Sequence, residues 1–439
     1  METGDLARNI YVALTDEEDA RACRDISDSA CRESPQNFLL ILLSNFLSKL
    51  GDAVANPKTT LAWVAGATGA PAFVVGFLVP IRESGSLIPQ LAIASFIRRL
   101  PVRKWVWVAG SVVQAAAVAG LGLVAWQLQG AAAGWAILAL LVVFSLARGF
   151  CSVASKDVLG KTVPKNRRGQ LTGWSASAAG LITVGVGVVL ILPLQQGEDS
   201  ALYGLMLGIA GCLWLLAAFS YSFVREYAGE TEGGKNALGE AFNRLAILRE
   251  DRAFRRFVIV RALLMCSALS APFYISLAQQ SVSSAHALLG LFIIADGLAN
   301  LVSAPVWGKF ADRSSKWVMI TAVLVASGIG ALTFLLDHFW HAVVATYWYV
   351  PLGYFFLSIA HSGVRVGRKT YVVDLAAGNR RTDYVSVSNT VIGVLLLLVG
   401  SVGALAPLIS TSGVIGVLSL MGLLGAALGT RLPEAQQED

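Results

Sequence analysis

The sequence carries little charge for its length. Only 14% of its 439 residues are Asp, Glu, Lys or Arg, whereas soluble globular domains have about 25%. This deficit argues against cytoplasmic enzymes and nucleic-acid-binding proteins. The hydrophobic share of 55% and the mean hydropathy of +0.64 instead indicate a chain that crosses a lipid bilayer several times.

Cysteine is scarce, and motifs of catalysis or metal binding do not occur. The five cysteines form no CxxC pair and no Cys/His spacing typical of a metal site. Neither HExxH nor GxSxG occurs. We therefore expect no metal, no cofactor and no enzyme activity. Cys23 and Cys31 precede the first apolar segment, in the part that we assign below to the reducing cytoplasm, so we expect no disulfide.

Long apolar segments dominate the rest of the chain. A helix that crosses a bilayer needs about 20 mostly apolar residues. Runs such as 107–126 lack the alternation of barrel strands, so we predict an all-α membrane protein with twelve transmembrane spans. The predicted spans are residues 38–66, 70–96, 105–126, 133–155, 171–194, 201–224, 257–279, 285–309, 317–336, 341–364, 384–406 and 408–430.

Basic residues predict the orientation in the membrane. Lys and Arg concentrate in the loops that follow spans 2, 4, 8 and 10, whereas the stretches 195–200 and 280–284 contain none. Basic loops stay in the cytoplasm. We therefore expect a multi-pass protein of the bacterial inner (plasma) membrane, with the tails 1–37 and 431–439 and the polar segment 225–256 all cytoplasmic.

The polar segment divides the spans into two similar sets. An N-terminal half, 38–224, and a C-terminal half, 257–430, each contain six predicted spans. Two parallel six-helix halves are typical of transporters, whose binding site lies between the halves near the bilayer midplane. The halves repeat at offsets of 212 or 213 positions, in the matched residues Lys104 and Lys316, Ser145 and Ser358, and Arg148 and His361.

Two loop sequences resemble motifs of the major facilitator superfamily. Between spans 8 and 9, Gly308-Lys-Phe-Ala-Asp312-Arg313-Ser-Ser-Lys316 is similar to the family's cytoplasmic loop motif, and 164–169 resembles its Pro-x-x-x-Arg-Gly stretch. With the twelve spans and the repeat, the resemblance covers 38–430. It implies a secondary active transporter that works by alternating access. It also implies a gating role for Gly308, Asp312, Arg313 and Lys316.

The sequence departs from the family pattern in two places. The first-half copy of the loop motif, residues 95–104, keeps the basic end but lacks the glycine and the aspartate. The resemblance therefore implies that the latch formed by this motif is incomplete or differently built. Span 5 lacks the Gly-Pro motif that marks many proton-drug antiporters, which argues against drug efflux.

Charged side chains inside the spans indicate the site. Such a charge costs a few kcal/mol at the bilayer centre and usually faces a cavity or a partner. Lys49, Asp52 and Asn56 share one helical face, and the resemblance implies that spans 1, 4, 7 and 10 line a central cavity. We expect the substrate-binding or coupling residues to be Lys49, Asp52, Asn56, Arg82, Glu83, Arg148, Arg261, Asp296, Tyr354 and His361.

The balance of these charges suggests the substrate and the coupling ion. Five basic residues, Lys58 among them, outnumber three acidic ones inside the spans. This surplus favours an anionic substrate group such as a carboxylate or a phosphate, which Arg binds through two parallel hydrogen bonds. Asp52 and Glu83 are candidate proton-coupling carboxylates, and His361 is a third candidate. Structural ion pairs, for example Lys49 with Asp52, are the alternative.

These features together predict the partners of the protein. We expect a small-molecule substrate, a proton or another coupling ion and the lipid bilayer, but no nucleic acid. A drug or metabolite exporter and a non-transporting membrane receptor on the same fold remain alternatives. Substrate-dependent flux into vesicles separates transport from binding without flux.

Overall fold

The computed structural model describes residues 28–192, 200–229, 231, 245–282, 286–311, 313–375 and 380–434. Throughout these ranges the regular elements are helices. The first half contains α1a (Asp28–Val54), α1b (Thr60–Ala67), α2a (Ala72–Leu87), α2b (Gln90–Arg98), α3 (Lys104–Gln127), α4 (Gly130–Thr162), α5 (Lys165–Ile191) and α6 (Ser200–Ser222). The second half contains α7a (Arg252–Leu263), α7b (Ala271–Ser281), α8 (His286–Ala311), α9 (Ser315–Phe339), α10 (Tyr349–Leu375), α11 (Arg380–Gly400) and α12 (Thr411–Gly429).

Eleven helical segments of the described chain are long and apolar enough to cross a membrane. The predicted all-α membrane fold is confirmed, and the difference from twelve spans concerns α10. This helix has 27 residues, which is ample length. Tyr354, Ser358, His361 and Arg365 lower its hydropathy. Three of these residues, Ser358, His361 and Arg365, line the space between the halves, as described below.

The first and seventh spans are broken, although the sequence predicted each as continuous. Helix α1a ends at Val54 because Pro57 has no N–H group to continue the helical pattern. The carbonyl of Asn56 instead accepts hydrogen bonds from the N–H groups of Thr59 (3.3 Å) and Leu61 (3.0 Å). Span 7 is interrupted between α7a and α7b, and Pro272 lies in the first turn of the second piece.

The two halves meet at the end of the bundle opposite the basic loops. Helix α2a packs against α11 and the 3-10 turn that follows it, Ser401–Leu405. A Cβ atom built on Gly76 would lie there 2.7 Å from the Cα of Gly403. Where α5 meets α8, a Cβ on Gly187 would lie 2.9 Å from the carbonyl oxygen of Gly290. No side chain fits at these positions, so the backbones themselves are in contact. We call these four glycines the closed seam.

Helix α5 has free space beside it towards the basic-loop end. A Cβ atom built on Gly173 or Gly180 would meet no heavy atom within 4 Å. Both glycines line the cavity between the halves. The cavity therefore lies on the basic-loop side of the closed seam.

The expectation of no disulfide near the N-terminus is wrong. Cys31 is disulfide-bonded, and Cys23 lies outside the described residues. Cys151, Cys212 and Cys266 are free. The expectation rested on the redox compartment alone, which does not determine which sulfur atoms the fold brings together.

Candidate functional site

A cavity of about 670 Å³ lies between the two halves. Helices α1a, α2a and α5 line it from the first half, and α8 and α10 line it from the second. Seven of the ten residues proposed from the sequence line this cavity, namely Lys49, Asp52, Asn56, Arg82, Glu83, Asp296 and His361. Their roles in binding or coupling stay predictions.

Asp52 is held between two arginines on neighbouring helices. Its Oδ1 atom lies 3.0 Å from a terminal nitrogen of Arg82 on α2a, and its Oδ2 atom is ion-paired with Arg148 on α4. The guanidinium of Arg82 also lies over the ring of Phe144, 4.8 Å from its centre, which adds a cation–π contact. The carboxylate partner of Arg148 thus comes from another helix.

Lys49 lies one turn before Asp52 but binds helix α5. Its Nζ atom donates hydrogen bonds to the carbonyl oxygen of Thr172 (2.9 Å) and to Oγ of Ser175 (2.8 Å). The local Lys49–Asp52 ion pair is not formed among the described residues. Lys49 therefore joins α1a to α5 within the cavity lining.

Asp296 on α8 is surrounded by neutral donors. Its Oδ1 atom accepts hydrogen bonds from Ser358 Oγ (3.2 Å) and the Tyr354 hydroxyl (3.4 Å). Its Oδ2 atom accepts from the amide nitrogens of Asn300 (3.3 Å) and Asn56 (3.4 Å). The contact with Asn56 joins the two halves inside the cavity. Tyr354 is itself fully buried and reaches the site only through Asp296.

Further ionisable groups line the cavity between these two carboxylates. His361 Nδ1 lies 3.1 Å from Ser267 Oγ. Lys58 and Glu83 form no ion pair within 4.0 Å in the described part of the chain. Lys58 and Arg365 were not assigned to the site from sequence. Lys58 does not fit the helical spacing that groups Lys49, Asp52 and Asn56. It reaches the cavity because span 1 is interrupted at Pro57.

Arg261 lies outside the cavity lining. Its side chain is buried and donates hydrogen bonds to Ser388 and to the Oδ1 atom of Asn389 (2.8 Å), both on α11. It therefore joins α7a to α11 within the second half, because the interrupted span turns this face towards α11. A direct contact between Arg261 and a substrate finds no support in this geometry.

The residues proposed for gating lie at the basic-loop end. Gly308 is near the end of α8. Lys316 lies in the first turn of α9, with its Nζ atom 3.5 Å from a carboxylate oxygen of Glu434. Arg313 lies between these helices. Asp312 lies outside the described residues, so its contacts are not described. The gating role of this loop stays a prediction.

The first half has its own charge network where the loop motif lacks its aspartate. The carboxylate of Glu226, after α6, accepts hydrogen bonds from the backbone N–H groups of Arg103 (2.8 Å) and Lys104 (2.7 Å). It also binds Lys161 Nζ at 3.1 Å. Asp157 on α4 pairs with both Arg103 and Lys161. These contacts tie α3, α4 and α6 together within one half.

We expect Glu226→Gln to destabilise the purified protein strongly. The carboxylate is fully buried, and breaking a buried ion pair by removing one partner costs roughly 3–5 kcal/mol. A thermal-unfolding scan in detergent measures the loss, with Glu434→Gln at the corresponding loop of the second half as the control, because the side chain of Glu434 is 48% exposed. An unchanged unfolding temperature for Glu226→Gln contradicts the structural role of this network.

The fold and the cavity define a polytopic helical membrane protein with a polar site between two halves. No protein-family model matches the sequence. The uncharacterized proteins Rv2209 of Mycobacterium tuberculosis and Mb2232 of Mycobacterium bovis are each 24% identical over 378 residues, which is 85% of this chain and 70% of theirs.

Three solved structures show which fold this is. A D-xylose-proton symporter has a TM-score of 0.66 at 14% identity, covering 91% of this chain and 98% of its own. A POT family transporter in complex with 5-aminolevulinic acid has 0.67 at 11%, covering 89% and 94%. The nucleoside transporter NupG has 0.65 at 12%, covering 90% and 98%. The chain therefore has the fold of the major facilitator superfamily transporters.

Proposed function

We propose that this protein is a secondary active transporter that moves a small solute with an anionic group across the bacterial plasma membrane. The observation that supports this most directly is the charged cavity between two halves, with the closed seam of backbone contacts on one side of it. Alternating access requires such a cavity, with halves that separate at one end and close at the other.

Proton coupling is part of the proposal. Asp52 contacts Arg82 and Arg148, and a carboxylate beside cations changes its proton affinity when those contacts change. A structural neighbour is a D-xylose-proton symporter, which is consistent with a proton as the coupled ion on this fold. The described cavity lining contains no Phe, Trp or Tyr side chain, which gives no aromatic contact for the lipophilic substrates of a drug exporter.

Flux into proteoliposomes tests the transport proposal. Purified protein is reconstituted, and labelled small carboxylates and phosphates are offered with and without an imposed pH gradient. We expect at least one to accumulate, and we expect collapse of the gradient to release it. Arg82→Lys serves as the matched variant, because Arg82 lines the cavity and a point charge in place of its bidentate fork weakens anion binding. Saturable binding without flux indicates the alternative, a receptor on the same fold.

Both termini are proposed to be cytoplasmic, and cysteine labelling tests this orientation. A cysteine at position 197, which lies outside the described residues, should react with an impermeant maleimide in intact cells, because 195–200 has no Lys or Arg. A cysteine at Gly169, an exposed position at the basic-loop end of α5, should react only after lysis. The reverse pattern overturns the orientation.

A further inference from the structure

Two carboxylates that line the cavity, Asp52 and Asp296, have different electrostatic surroundings. Asp52 contacts two guanidinium groups, Arg82 and Arg148, and Lys49 lies one turn away on the same helix. Three cations therefore surround one anion. Each guanidinium has five N–H donors, so donors remain available for a second carboxylate. This end of the cavity, the arginine pole, is suited to a carboxylate of the substrate.

Asp296 forms the opposite pole. Its four hydrogen-bond donors are neutral, and among the described residues no Lys or Arg lies within 4.0 Å of its oxygens. A partly dehydrated carboxylate without a counter-charge is costly. An ammonium group of a ligand relieves that cost through charge-assisted hydrogen bonds.

The basic residues of the protein form no ion pair with Asp296 in the part of the chain that the structure describes. Lys58 is near enough to act electrostatically on both Glu83 and Asp296. Glu83 has Arg82, Arg365 and Arg368 within electrostatic range in addition. Lys58 forms no ion pair within 4.0 Å in the described part of the chain. Asp296 therefore has neutral hydrogen-bond donors and no ion-paired cation of the protein among the described residues.

The distance between the poles is that of a short molecule. Asp52 and Asn56 are four residues apart across the end of α1a, which limits the separation of their Cα atoms to about 14 Å, and Asn56 contacts Asp296 directly at 3.4 Å. We infer that the substrate is a small zwitterion, with its carboxylate at the arginine pole and its ammonium group at Asp296. This inference rests on the proposed transport function and names its substrate class.

A matched series of probes tests the inference by isothermal titration calorimetry on the full-length protein. The series runs from 3-aminopropanoate to 6-aminohexanoate, each paired with the n-alkanoate and the n-alkylamine of equal length. We expect one amino acid to bind at least about tenfold more tightly than both of its partners, since each pole adds a charge-assisted hydrogen bond. This comparison needs no variant.

Variants then assign the poles. Asp296→Asn should lower the affinity for that amino acid to the level of the alkanoate and leave alkanoate binding unchanged. Asp337→Asn is the matched control. Asp337 lies near the C-terminal end of α9, outside the cavity lining, and is paired with His341. Arg82→Lys should weaken the binding of both the amino acid and the alkanoate, because Arg82 lines the cavity.

The outcomes separate this inference from the proposed function. Equal affinity for the amino acid and the alkanoate overturns the zwitterion while leaving an anion transporter intact. The zwitterion inference is also overturned if Asp296→Asn weakens the binding of the amino acid and of the alkanoate equally. It is overturned as well if no compound of the series binds. Selective zwitterion binding without any flux in proteoliposomes supports the inference and overturns transport.

Discussion

Asp52→Asn is expected to abolish accumulation driven by a pH gradient while substrate exchange continues. The substitution keeps the size of the side chain and removes the carboxylate held between Arg82 and Arg148. Exchange of labelled for unlabelled substrate across the membrane needs no net proton movement, whereas accumulation against a concentration gradient does. Accumulation and exchange are measured on the same proteoliposomes. A stable Asp52→Asn protein that still accumulates substrate excludes Asp52 from coupling.

The structural alternative predicts a different result for the same variant. Without the carboxylate, Arg82 and Arg148 repel each other, and removing one partner of a buried pair costs roughly 3–5 kcal/mol. The three side chains are 16–29% exposed, so solvent screening reduces this cost. The double variant Asp52→Asn/Arg148→Gln removes one of the repelling charges. A purely structural role predicts that it recovers thermal stability and accumulation together; a coupling role predicts recovered stability alone.

Gly187→Trp is expected to reduce transport to background without unfolding the protein. A Cβ atom there already lies 2.7 Å from the side chain of Ile294 and 2.9 Å from the carbonyl oxygen of Gly290. A tryptophan cannot fit in the closed seam and so holds α5 and α8 apart. Overpacking of this kind typically costs 1–3 kcal/mol, which is enough to shift a balanced equilibrium between conformations by about five- to 150-fold.

The control for this variant is Gly208→Trp on α6. A Cβ atom at Gly208 meets no heavy atom within 4 Å, so the same side chain is accommodated there. Flux and thermal unfolding of the two variants are compared in parallel. Normal transport by Gly187→Trp shows that the seam need not close during the cycle.

The sequence predicted the helices and much of the cavity for one physical reason. Hydropathy and the 3.6-residue period are local properties, and they place Lys49, Asp52 and Asn56 on one face of span 1. The break at Pro57 was visible as a proline, but the period alone did not show that the span would be interrupted there.

The partners of the charged residues could not be predicted in the same way. Arg148 meets Asp52, and Asn56 meets Asp296, across helices that are far apart in sequence. Arg261 and Arg82 were both assigned to the cavity because each is a basic residue inside an apolar span. In the structure, the side chain of Arg261 instead binds Asn389. Only the packing of the helices distinguishes the two. The disulfide at Cys31 likewise depends on spatial proximity.

Accessibility of the cavity from the two sides of the membrane tests the central claim most directly. A cysteine replaces Ser177, which lines the cavity on α5, in a background without the free cysteines, and an impermeant maleimide is applied to inside-out and right-side-out vesicles. With the seam closed, labelling should be faster from the basic-loop side. Gly187→Trp should shift the ratio of the two rates by about tenfold or more towards the other side. An unchanged ratio contradicts alternating access between these two halves.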